Sequence, residues 1–204
     1  MKKLLILMSL ILGIAVISSA QTIVGSVHDF QAESWVTEGE ICIPCHTPHN
    51  SQIISDAPLW NHEITTTSFT LYSSTTLDAT LAQPTGVSLL CLSCHDGQVA
   101  LDNYGGTTTG TEFMTGDASF GTTLANDHPI SFTYNTALST TDGELEDPST
   151  ATTIIGGTID NDMLFSGKME CASCHDVHNT AAVSTSLLII DNAGSALCLT
   201  CHAK

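Results

Sequence analysis

Cys42-Ile43-Pro44-Cys45-His46-Thr47-Pro48-His49-Asn50 contains the pattern C-x-x-C-H. The pattern returns at Cys91–His95, Cys171–His175 and Cys198–His202, and these four motifs use all 8 cysteines of the chain. C-x-x-C-H is the attachment signature of haem c: both thiols become thioethers, and the adjacent histidine is the proximal iron ligand. Four covalently attached haems are therefore expected. Their cofactor-binding residues are Cys42, Cys45 and His46; Cys91, Cys94 and His95; Cys171, Cys174 and His175; and Cys198, Cys201 and His202. Paired C-x-x-C units also build zinc sites or redox-active dithiols, but neither chemistry asks for histidine directly after the second cysteine.

The first twenty residues read as an export leader. Lys2 and Lys3 precede the apolar run Leu4–Ile17, and Ser18-Ser19-Ala20 supplies the small residues of a cleavage site. The apolar run is short for an uncleaved anchor, and no later stretch approaches the roughly 20 apolar residues of a membrane span. Residues 21–204 are then a single tetrahaem cytochrome domain with no span after cleavage. Removing the leader leaves Lys168 and Lys204 against 21 Asp and Glu, a net charge of −19 (2 positive against 21 negative). Such a chain repels nucleic acid and anionic lipid.

Its material for a side-chain core is thin, with 2 Trp, 3 Tyr and 6 Phe beside 15 Gly and long runs of Thr and Ser. Porphyrin supplies the missing apolar volume, so the apo-chain is expected to be largely unfolded. The fold class is mostly irregular coil with few short helices and small β pairs, organised around four covalently bound haems. Short strands are expected at Phe69–Ser73, Ser131–Tyr134 and Thr152–Ile155, and a turn at Gln83–Gly86. The patch Asp142–Asp147 reads as a solvated loop. Single helical turns bring the two cysteines of a motif to one face, with Ser195 as an N-cap before the last.

Outside the motifs stand five histidines: His28, His49, His62, His128 and His178. Four irons need four distal ligands, so these five join His46, His95, His175 and His202 as candidate metal ligands, with one to spare. Either His28 or His62 fills the spare place. Met114, Met163 and Met169 suit packing better. Cys42–Asn50 and Cys171–Asn179 both read C-x-x-C-H-x-x-H-N, an internal repeat that the other motifs lack. Two axial ligands must lie on opposite porphyrin faces, and three residues cannot wrap around a haem. His49 and His178 must each serve a haem other than that of their own motif. Saturated irons offer no substrate site, so an electron carrier is expected and an enzyme is not. Bis-histidine ligation in an anionic protein favours low potentials.

Cys42–Asn50, Cys91–Gly97, Asp127–Ile130 and Cys171–Asn179 together resemble the tetrahaem cytochromes of metal-reducing bacteria, of the OmcE/OmcS-like extracellular nanowire type. The resemblance spans most of the chain after residue 20. It implies extracellular electron transfer along a continuous row of haems in a conductive filament, with one subunit donating an axial histidine to a haem of the next. By that likeness His49 is the bridging ligand, and the partners are identical subunits, redox proteins and extracellular electron acceptors. The implied location is the cell surface or beyond. The alternative is a soluble periplasmic tetrahaem shuttle closed within one chain. Replacing both cysteines of any one motif by alanine should remove one haem and leave three, read as the mass of the intact holoprotein.

Overall fold

Helix α1 (Gly86–His95) is the longest regular element, and it carries the second motif at its C-terminal end. The computed structural model describes residues 23–54 and 57–203. The expected leader over 1–20 lies outside the described residues. Gly86 opens α1 with φ +55°, and a Cβ there would stand 3.3 Å from the Glu170 carboxylate, so glycine answers both a backbone and a space requirement. Gln83–Gly86 is thus the lead-in to a helix and not a free-standing turn. The helix buries Ser88, Leu90, Leu92 and Ser93. It stops at Asp96, whose N–H still reaches Leu92 O, and Gly97 follows in the left-handed region (φ +66°), the usual C-terminal stop.

The strands are short and come as three separate pairs. β1 (Gln52–Ile54) and β2 (Ala57–Trp60) form an irregular antiparallel hairpin. β3 (Thr70–Leu71) runs parallel to β4 (Thr123–Leu124), and β5 (Phe132–Thr133) runs antiparallel to β6 (Lys168–Met169). The sequence places strands correctly at 69–73 and 131–134, although only the central two residues of each pair. Thr152–Ile155 is not a strand: Thr152 bridges Thr158 across a tight Gly156-Gly157 turn, which leaves Ile154 and Ile155 exposed.

Three further helices are brief. Asn135 caps α2 (Thr136–Asp142) by accepting from Leu138 N–H, and Thr158 caps α3 (Ile159–Asp162) through Asn161 N–H. Helix α4 (Ala196–Cys201) carries the last motif. Ser195 occupies its N-cap position but makes no side-chain cap bond; Asn192 Oδ1 accepts from Leu197 N–H in its place. Residues 143–147 beyond α2 form a largely exposed loop, as the acidic patch suggests.

Apolar side chains gather in three clusters and form no single core. The largest joins Phe132, Tyr134, Ile159, Met163, Leu164, Met169, Ile190, Leu197 and Cys201. Ala57, Trp60 and Leu90 form a second, and Phe69, Leu92 and Leu124 a third. Met163 and Met169 are packed in the first cluster, which is the role the sequence assigns them. Among the described residues no helix is long and apolar enough to cross a membrane. Ile159 is fully buried in the largest cluster, so Ile159→Ala should cost about 2–5 kcal/mol. Chemical denaturation of the holoprotein measures this.

Candidate functional site

Each motif is supported by backbone hydrogen bonds that aim its histidine. In the first, Asn61 N–H donates to Cys45 O (2.9 Å) and Thr47 N–H to Leu59 O (2.9 Å), while His46 Nδ1 lies 2.9 Å from Pro58 O. In the third, Ile189 N–H donates to Cys174 O (3.0 Å) and Asp176 N–H to Leu187 O (2.7 Å), while His175 Nδ1 lies 2.8 Å from Ser186 O. The internal repeat is therefore longer than its nine-residue sequence signature: it includes a supporting segment in each half. Leu59 (φ 58°) and Leu187 (φ 55°) share a left-handed backbone in those segments, as Asn50 (φ 57°) and Asn179 (φ 53°) do at the end of each repeat. Asparagine tolerates that region better than other non-glycine residues, which explains the N of C-x-x-C-H-x-x-H-N.

A carbonyl only accepts, so Nδ1 of His46 and His175 carries the proton and Nε2 presents its lone pair. His95 is fixed the same way by Ala118 O at 2.7 Å, and His128 by Pro129 O at 2.8 Å. This is how proteins hold an imidazole that binds metal through Nε2.

The second set of histidines comes to meet the first. His46 and His178 have ring centroids 6.2 Å apart and nearly parallel planes (14°). His95 faces His28 at 6.1 Å, and His202 faces His128 at 6.3 Å. An imidazole nitrogen sits about 2.0 Å from a metal and about 1.1 Å from its own ring centre, so two rings on opposite sides of one metal have centroids about 6.2 Å apart. The three pairs have that separation. His178 packs on His46, and no ring contact joins it to His175 among the described residues.

His28 is mostly buried; burial first, then the neighbouring His95 and His175, lowers its pKa to about 4. It is therefore the neutral imidazole that metal ligation needs, and its buried Nδ1 has no hydrogen-bond partner. His62 is placed differently. It is 1% exposed, with Nδ1 2.7 Å from Glu63 O and Nε2 3.1 Å from Ala100 O, and it faces no motif histidine. His49 is exposed, and neither His49 nor His175 has a ring packed against it among the described residues.

The thiols line up in chain order. Burial first and then the neighbouring Cys45 raise Cys94; the neighbouring Cys171 and burial raise Cys91; burial, then Cys171 and Cys198, raise Cys174. Burial is the larger cause for Cys45 and Cys174, each pushed up to about 11, and for Cys201, pushed up to about 12. Reactive dithiols have depressed pKa values, so these three thiols do not suit redox-disulfide work. No disulfide forms, and no group of three or more His, Cys, Asp or Glu is arranged to hold a metal ion among the described residues. The side chains fit haem c instead: free thiol pairs, oriented imidazoles, and large apolar groups left exposed beside them. Among these are Leu59, Phe120, which packs on His95, Val177, and Leu199 inside the fourth motif.

Residues 164–204 match the doubled CXXCH motif family. That doubled motif indicates a multihaem c-type cytochrome. Proteins of this kind bind haem covalently, transfer electrons and are exported from the cytoplasm. No curated protein matches the chain.

Sequence reasoning misses a residue that braces the second motif. Asp96, directly after His95, is fully buried and accepts from Thr65 Oγ1 (2.5 Å) and Gln98 N–H (2.8 Å). Its only sequence signal is the His-Asp-Gly run that ends α1. Removing a donor from a buried carboxylate costs about 1–3 kcal/mol, so Thr65→Val should lower stability by that amount. Thermal unfolding of the holoprotein measures it.

Proposed function

We propose that the chain is a tetrahaem electron carrier that works outside the cell and polymerises head to tail, with His49 of one subunit completing a haem site of the next. The observation that carries this reading is the set of three opposed imidazole pairs, His46/His178, His95/His28 and His202/His128. They supply distal ligands within the chain for the first, second and fourth motifs. His175 remains as a motif histidine with no opposed ring, and His49 remains as an exposed histidine with none.

The repeat gives these two a relation. His178, at the end of the second repeat, serves the first repeat's motif. By the same logic His49, at the end of the first repeat, serves a motif of the second kind, His175, in a neighbouring copy. His62 is then the spare histidine, since backbone carbonyls face both its nitrogens. When bound, haem c supplies the ferric/ferrous couple. The protein supplies covalent anchors, imidazoles held in one tautomer, and motifs ordered first to fourth by their adjoining cysteines. Six-coordinate irons leave no place for substrate, which favours a carrier over an enzyme.

The leader at 1–20 and the single haem-bearing domain at 21–204 fit an exported protein. The charge of −19 (2 positive against 21 negative) sets nucleic acid aside as a partner and suits a cationic redox partner or a mineral or metal acceptor. A periplasmic shuttle is the reading to which a closed monomer would return.

The test is electron microscopy of the native holoprotein and of His49→Ala. The wild type should form filaments; the variant should keep four haems, lose assembly and show one high-spin iron per chain. Dispersed wild-type monomers with every iron six-coordinate would contradict polymerisation.

A further inference from the structure

Glu170 is 2% exposed and lies between the second and third motifs. Ser131 Oγ donates to its Oε2 at 2.9 Å, and Ser88 N–H reaches the same oxygen at 3.3 Å. The Ser173 backbone N–H donates to the carboxylate as well, while Ser173 Oγ accepts from Glu170 N–H at 2.8 Å. Ser88 Oγ accepts from Cys171 N–H at 2.9 Å. Helix α1, which carries Cys91, Cys94 and His95, is thereby tied to the turn that carries Cys171, Cys174 and His175. At that junction the Cys91 and Cys171 thiols lie close enough to shift each other, Cys91 upward and Cys171 downward.

Every partner of this carboxylate is a donor, which suits a group that only accepts. None of those donors carries charge. Lys168, the basic residue in the neighbouring strand β6, gives its ammonium to Thr85 Oγ1 at 3.1 Å, and no ion pair to Glu170 occurs among the described residues. One hydroxyl and two backbone amides converge on this single buried acidic side chain, in a chain already rich in exposed carboxylates.

We infer that Glu170 is a positioning and potential-setting residue: it locks the second and third haem sites at a fixed spacing and holds their potentials below those of the other two. A buried negative charge opposes the arrival of an electron nearby, and low dielectric strengthens that opposition. Its hydrogen bonds fix the junction through which an electron passes between those two sites. The inference rests on the tetrahaem reading above.

The test is a spectroelectrochemical titration of holoprotein carrying Glu170→Gln, with haem count and thermal midpoint measured on the same samples. Four haems, a lowered thermal midpoint because the amide NH2 meets a donor, and a rise in the potential of two of the four haems are expected. Potentials that do not move, or four that rise together, would overturn the inference. Should the glutamine variant lose haem, Glu170→Asp decides: it keeps the charge, so its potentials should match the wild type, and a rise would show that packing and not charge sets them. Fewer than four haems in the unaltered chain would instead sink the tetrahaem reading.

Discussion

The opposition of imidazole rings across a gap of 6.1–6.3 Å is the constraint on which the rest of this structure depends. Each pair joins segments far apart in sequence: His46 meets His178, His28 meets His95, and His128 meets His202. In most small domains such long-range closure comes from a continuous apolar core. Here the core is split into three clusters, and the strands are pairs of two to four residues. The loop-closure entropy of the chain must be met elsewhere, and covalent attachment plus axial ligation meets it in the proposed reading. That explains why so much of the backbone can remain irregular while its turns are so well bonded to one another.

The repeat shows how one local design yields two roles. Cys42–Asn50 and Cys171–Asn179 fold alike, down to the left-handed asparagine and the carbonyl that orients the motif histidine. Their second histidines differ in surroundings: His178 has His46 before it and Asp176 beside it, whereas His49 is exposed. In the proposed reading, one copy closes inward and the other opens outward, as a heterologous contact that propagates would require.

Much of the site is legible in the sequence because C-x-x-C-H constrains covalent chemistry over five residues, and because the distance from His175 to His178 forbids ligation of one iron. The coil-rich fold class follows from the scarcity of aromatic residues. The spare histidine of the proposed reading does not follow, because His28 and His62 are alike in sequence, and only the structure sets the Ala100 carbonyl against His62. The ten-residue length of α1 is hidden too: its apolar positions surround Ser88 and Ser93, which are buried by partners on remote segments. Glu170 and Asp96 resemble any other acid in an acidic chain. Their burial is a tertiary fact, met by hydroxyls from the remote Thr65 and Ser131, and no local pattern announces it.

Near-infrared magnetic circular dichroism of the ferric holoprotein tests the central claim most directly, because its charge-transfer band reports the axial pair at each iron. The account predicts one class of band, that of histidine–histidine ligation, for the assembled protein. A histidine–methionine band, or high-spin iron at the first, second or fourth motif, would contradict it.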